Sequence, residues 1–199
     1  AALREALGPV AGAGRRGLLR HPAVAALAGS AACLDLVRPQ VEGEPFPVRA
    51  IYFDKTPEAN WGVVWHQDLT LAVAARVEVP GYGPWSVKDG IPHVQPPAEV
   101  LVGMLTLRLH LDDADEGNGA LRVIPGSHRE GRLDAAAIEA WRARGPEVLC
   151  AAAAGDVLLM RPLLLHASGK SAGARHRRVL HLEYASGRLP GGLRWHETA

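Results

Sequence analysis

Cysteine is nearly absent from this chain: Cys33 and Cys150 are the only two in 199 residues. Two thiols so far apart make no disulfide framework and cannot supply a closed structural zinc site, which often uses four cysteines. A reducing, cytoplasmic setting is therefore expected. Neither sign of charge dominates, since 22 Lys and Arg stand against 21 Asp and Glu. That balance removes the electrostatic argument for nucleic acid or an anionic membrane as a partner. No apolar run approaches the roughly 20 residues of a membrane span. There is no GxGxxG or phosphate loop, and the strand–helix alternation of a doubly wound sheet is missing. The chain begins at Ala1 without a methionine, so a longer native start is allowed for, and no stretch reads as a signal peptide.

What is present is a globular composition, 48% hydrophobic and 22% charged. The length suits one domain over residues 1–199, with a helical flank at 1–47 and a β core at 48–189. The flank is Ala-rich, with helical spacing at Leu3, Ala6 and Leu7 and again at Val24 and Leu27. Gly12-Ala13-Gly14 breaks it, and Pro22 suits the first turn of a following helix. Arg15, Arg16 and Arg20 read as a solvated face. From Val48 the texture changes to short strands with Gly/Pro turns. Helices first and many short strands after suggest a helix-flanked β-sandwich or barrel.

Trp65-His66-Gln67-Asp68 is the stretch with chemistry in it. Side chains at i and i+2 of a strand share a face, and Val63-Val64-Trp65 is β-forming. His66 and Asp68 would then project together, and one more imidazole from another strand, His166, would close a triangle. Two histidines and one carboxylate leave the opposite coordination positions open, the geometry of non-haem Fe(II) oxygenases. His-x-Asp alone is common; its context is what gives it weight.

Leu105 to Leu111 alternates, with leucines on one face and Thr106, Arg108 and His110 on the other. That polar face lies in solvent in a plain sheet and lines the interior in a barrel; parity leaves both open. Residues 80–98 read as a long Pro/Gly-rich loop carrying Tyr82, Trp85, His93 and Gln95. It is expected to be an ordered flap over the site mouth, with a purely structural lid as the alternative. Residues 134–144 read as a short helix with Ile138 and Trp141 inward. The segment after Leu189 reads as coil.

Four segments together resemble the phytanoyl-CoA dioxygenase family of Fe(II)/2-oxoglutarate oxygenases. They are Trp65 to Asp68; Asn118-Gly119 through Pro125-Gly126-Ser127-His128; Gly155-Asp156-Val157 through His166-Ala167-Ser168; and Arg177-Arg178-Val179. The second is the most distinctive. The resemblance implies a double-stranded β-helix, or jelly roll, similar to cupins. It implies that His66, Asp68 and His166 hold iron, that Ser168 helps hold 2-oxoglutarate, and that an arginine about eleven places after His166 clamps its far carboxylate. Arg177 stands there, with Arg178 as competitor; adjacent strand residues face opposite ways. Lys55, Tyr52, Asn60 and Trp61 precede the ligand strand and could help to position that acid. His128 is expected in a turn, away from the metal.

The function this implies is hydroxylation of a small organic substrate with O2, giving succinate and CO2. Asp68, in place of the small residue of halogenating relatives, favours hydroxylation. Trp61, Trp85, Gln95 and Arg108, with Tyr82 and His93, are the substrate-pocket candidates. The rival readings are a cupin-like metal protein with more histidines at the metal, and a silent binding module on the same fold.

Overall fold

In the computed structural model, which describes residues 2–8, 14–173 and 175–198, two four-stranded antiparallel sheets face each other and a small third sheet closes one end. The break expected at Gly12-Ala13 lies outside the described residues. The major sheet has the order β1 (Phe46–Lys55), β11 (Arg177–Ala185), β6 (Leu105–His110), β9 (Val157–Met160). The minor sheet runs β2 (Val63–His66), β10 (His166–Ser168), β7 (Leu121–Val123), β8 (Val148–Cys150). The third joins β3 (Leu71–Ala72), β5 (Ile91–Val94) and β4 (Trp85–Lys88).

The period-2 pattern of the major sheet sorts its residues into two classes. Ala50 and Tyr52 of β1, Leu105 and Leu107 of β6, and Leu180, Leu182 and Tyr184 of β11 face outward under helices. Those helices are α1 (Ala2–Leu7), α2 (Pro22–Ala28) and α3 (Ala31–Val37). They contribute Leu7, Val24, Ala28, Cys33 and Val37, all buried. Burying each of the Leu and Val side chains is worth about 1.5–3 kcal/mol, so this layer anchors the sheet. The Tyr184 hydroxyl donates to the Ala28 carbonyl at 2.9 Å, whereas the Tyr52 hydroxyl in the same layer is buried without a partner.

The other face of the same strands is polar and equally buried. In register across it stand Arg49 with Glu183, Ile51 with His181, Phe53 with Val179, and Lys55 with Arg177. On the other side of β11, Glu183 meets Thr106, His181 meets Arg108 and Val179 meets His110. This settles the parity question at β6: Thr106, Arg108 and His110 turn inward and are 0%, 5% and 0% exposed. A register shift between Pro47 and Arg49 sets the pairing, at a proline that cannot donate to the ladder.

Three sequence expectations need correction. Residues 80–98 are not one irregular loop: β4 and β5 form a hairpin closed at Asp89-Gly90, both with positive φ. Asp-Gly between extended runs is the strongest short-range hairpin signal, and it was there to be read. The segment after Leu189 is not free coil: Val73 pairs with Trp195, and the Ala74 N–H donates to the Arg194 carbonyl at 2.9 Å. The helix α5 (Ala135–Arg144) forms, capped by Asp134, but buries none of its residues; Ile138 and Trp141 are only half-buried. The fourth helix, α4 (Ala98–Val102), is a single turn. No helix among the described residues is long and apolar enough to cross a membrane.

Candidate active site

The antiparallel register sets His66 directly opposite His166, so the two imidazoles lie side by side with ring centroids 4.1 Å apart. Asp68 follows just past the end of β2, its N–H donating to the Pro162 carbonyl at 2.8 Å. Its carboxylate oxygens come within 3.8 Å of His66 Nε2 and 3.6 Å of His166 Nε2. One ligand atom from each residue lies within 4.8 Å of the others.

The hydrogen bonds behind the cluster fix which atoms are available. His66 Nδ1 donates to the Val64 carbonyl and His166 Nδ1 to the Leu164 carbonyl, each at 2.8 Å. A carbonyl only accepts, so Nδ1 carries the proton in both rings and each Nε2 presents a lone pair to the cluster. Asp68 Oδ2 is buried with no partner. Burial raises the Asp68 pKa, but the His166, His181 and His66 imidazoles and the Arg49 guanidinium outweigh it and hold it at about 2. Burial lowers the His166 pKa to about 4. At neutral pH the cluster is therefore one carboxylate with neutral His166, a donor set that suits a divalent cation.

Two side chains brace the ligand strands. Gln67 donates to the Gly131 and Leu163 carbonyls at 2.8 and 2.7 Å, and its oxygen accepts from the Leu133 N–H at 2.8 Å. Ser127 donates to the Ile124 carbonyl and accepts from the Leu165 N–H, at 2.8 and 2.9 Å, one residue before His166. The Pro-Gly-Ser-His turn is thus a strut, and His128 is not in the metal cluster.

Behind the cluster lies a cavity of about 350 Å³, lined in part by Trp61, Arg108, His166, Ser168 and Arg177. Arg177 is 3% exposed, and its Nε and Nη1 have no partner. Arg178 turns the other way, its Nε donating to Asp112 at 2.6 Å. Lys55, opposite Arg177 in the sheet, is fully buried; its Nζ donates to the Gly169 carbonyl at 2.5 Å and to Ser168 Oγ at 3.4 Å. Burial and the neighbouring Arg177 bring the Lys55 pKa down to about 8. Burial and Arg108 bring that of Arg177 to about 10. Two buried cations with no carboxylate between them are costly unless an anion joins them. Gly119, at φ 72, makes this corner possible: a Cβ there would collide with the Gly169 carbonyl and reach 3.2 Å from Lys55 Nζ.

A polar chain links four of the residues that line the cavity. Arg108 Nη1 donates to His181 Nδ1 at 3.0 Å, His181 Nε2 donates to Glu183 at 3.2 Å, and Arg49 donates to Glu183 at 3.0 Å.

Trp61 and Arg108 line the cavity; Trp85 and Gln95 do not. Trp85 packs in the second core cluster with Tyr82, and Gln95 exchanges backbone hydrogen bonds with Gly83 and Pro84. Buried His93 also stands outside the cavity lining. The 80–98 segment reaches the cavity through Lys88 alone. His181 and Glu183 line the cavity with Arg177, as the alternation along their strand requires, whereas Arg49 and Lys88 were missed, and so was Arg16, taken for a solvated residue. Arg15 pairs with Tyr52 at the edge of β1, and the next side chain then turns into the cavity.

Two facing sheets with an iron-type facial cluster at one mouth and an unpaired arginine inside define a class, the 2-oxoglutarate-dependent iron oxygenases. Comparison agrees. The sequence matches the phytanoyl-CoA dioxygenase (PhyH) family over residues 10–179, and the chain belongs to that family. It is an enzyme of the oxidoreductase class. No curated protein matches the chain in sequence. Among solved structures it is similar to AviO1 from Streptomyces viridochromogenes Tue57, at 28% identity and TM-score 0.64, covering 92% of this chain and 73% of that one. EctD from S. alaskensis with bound Fe shares the fold at 21% identity and TM-score 0.68, covering 94% of this chain and 66% of EctD. The same EctD with 2-oxoglutarate and 5-hydroxyectoine matches at 21% identity and TM-score 0.65, covering 87% and 56%. The chain thus spans less than two thirds of EctD's length.

Proposed function

We propose that the protein is an Fe(II)- and 2-oxoglutarate-dependent dioxygenase that hydroxylates a small organic substrate. The observation that carries this is the pairing of two lone pairs and one unpartnered carboxylate oxygen at a single point with two buried, uncompensated cations behind it. His66, Asp68 and His166 would hold the metal. Arg177, with Ser168 and Lys55, would hold the far carboxylate of 2-oxoglutarate, for which a planar two-donor fork is suited. When bound, iron and 2-oxoglutarate supply the oxidising power: one atom of O2 enters succinate as CO2 leaves, and the other converts C–H to C–OH.

The protein's own part is positional. The Nδ1 hydrogen bonds fix both imidazoles in the metal-binding tautomer, and Gln67 and Ser127 hold the two ligand strands in register. Arg177 and Lys55 fix the depth and orientation of the co-substrate. Trp61, Phe53, Ile51 and Leu121 exclude water from the cavity walls. Reaction with O2 in this pocket belongs to the reading, as do the roles of the named residues and a cytoplasmic location.

The test is anaerobic titration with Fe(II), then with 2-oxoglutarate, followed by calorimetry. One tight iron site that 2-oxoglutarate strengthens supports the reading. Iron binding indifferent to 2-oxoglutarate would favour the cupin-like alternative.

A further inference from the structure

The cavity has two cationic ends, and the chemistry above uses only one. Arg49 and Lys55 are six residues apart on β1, about 20 Å along a strand. Arg177, with Lys55 beside it in the sheet, takes one end. At the other, Arg49, Arg16 and Lys88 line the same cavity. They come from three separate places: the inner face of β1, the segment before α2, and the tip of the β4–β5 hairpin. Nothing in local sequence requires them to meet.

These cations are not fully neutralised. Arg16 pairs with Asp89 at 2.5 Å and Arg49 with Glu183 at 3.0 Å. Lys88 donates only to Thr70 Oγ1, at 3.1 Å, and makes no ion pair among the described residues. Arg16 Nε is buried without a partner. Burial, with Arg49 and Arg16 alongside, lowers the Lys88 pKa, as expected where like charges crowd a partly desolvated site.

Charge balance points the same way. A ferrous ion and a dicarboxylate co-substrate cancel each other. What remains facing the cavity is Asp68 and Glu183 against Arg49, Arg108, Arg177 and Lys88, with Arg16 already matched by Asp89. Even without Lys55 the cations are in excess by two, an imbalance that a further anion would reduce, and the co-substrate end is too distant from Arg49 to share its own.

We propose that the primary substrate is a compact organic acid, a carboxylate or phosphate ester, whose anionic group is held at the cavity mouth by Lys88, Arg16 and Arg49. This rests on the oxygenase reading. Thr70, which bonds Lys88, lies two residues past Asp68, and both line the same cavity. A short carbon skeleton over Leu69 and Ile51 therefore spans from the acid group to the metal. A cavity of about 350 Å³ that also takes the five-carbon co-substrate does not enclose a CoA thioester.

The protein is loaded with Mn(II) and N-oxalylglycine, a non-reacting 2-oxoglutarate mimic, so that the co-substrate end is filled. It is then titrated by calorimetry with inorganic phosphate, short monocarboxylates and phosphate monoesters. Each organic acid is paired with its uncharged amide or alcohol. Saturable binding by charged members and not by their neutral partners is expected, and the carboxylate and phosphate arms show which acid is preferred. Lys88→Gln and Arg16→Gln each weaken that binding by about tenfold, with the affinity for Mn(II) and N-oxalylglycine serving as the fold control. Equal binding of neutral partners, no binding by any acid, or unchanged affinity in both variants overturns the proposal. If Mn(II) and N-oxalylglycine themselves fail to bind, the oxygenase reading has failed; the phosphate titration of the metal-free protein then still decides whether the mouth binds anions.

Discussion

The two sheets hold functional side chains by opposite means. The major sheet has long strands, helices bolted to its outer face, and a buried polar inner face. Its arginines sit where they do because Leu107, Leu180 and Leu182, all fully buried, pin the strands from behind. The minor sheet has strands of three or four residues and carries Val64, 82% exposed, on its bare outer side. It cannot rely on backing. Gln67 and Ser127 stitch its strands to neighbouring loops instead. Hydrophobic backing is generic and tolerates exchange of one apolar residue for another, whereas a hydrogen-bond brace depends on one side chain. The two proposed histidine ligands, His66 and His166, thus lie in the more fragile sheet, and the proposed cationic clamps, Arg177 and Lys55, in the sturdier one.

His166→Ala should show the largest effect. It removes one of three donors from the minor sheet, so 2-oxoglutarate turnover and tight Fe(II) binding should both vanish. Substrate-independent succinate release at the wild-type rate in this variant would sink the metal assignment.

On the major sheet, Arg177→Ala should raise the 2-oxoglutarate concentration needed for half-maximal turnover by about 100-fold, with iron affinity little changed. Arg178→Ala should leave that requirement alone, because its guanidinium is engaged with Asp112. The reverse result would place the clamp on the other face of β11.

Gln67→Ala tests the contrast most directly. Loss of its three hydrogen bonds should weaken metal affinity by about tenfold while 2-oxoglutarate still binds the major-sheet arginines. An unchanged metal affinity would mean that the minor sheet does not depend on its braces.

The smallest effect is on stability. Burial lowers the pKa of His93 and of His110 to about 4 from the ordinary 6.5. Between those values the unfolded chain binds more protons than the folded one, so the folded state loses stability as pH falls through that window and is unaffected above it. Thermal unfolding of the metal-free protein from pH 7 to pH 4 should show a midpoint flat near neutrality and falling below about 6.5. A midpoint that rises on acidification would contradict the burial of these rings.

Much of the site could be read from the chain because strand geometry is a local rule. The i, i+2 spacing of His66 and Asp68 pointed to one cluster, although Asp68 lies just past the end of its strand, and the Asn-Gly and Pro-Gly-Ser-His segments mark their turns by backbone need. The Asp89-Gly90 hairpin was legible too, but proline and glycine on either side of it suggested a loop. Trp85 and Gln95 were misplaced because an aromatic beside a polar residue suits a pocket as well as it suits a second core.

The sequence alone determined the strand periods, the spacing of the candidate ligand and clamp residues, and the near-even overall charge. Only the tertiary structure decided which face of β6 is the inside, that Arg177 and not Arg178 lines the cavity, and that Arg16, Arg49 and Lys88 meet. The physical reason is that alternation fixes which residues share a side but not which side is enclosed. That is decided by where the helices pack, and by strand pairings more than a hundred residues apart.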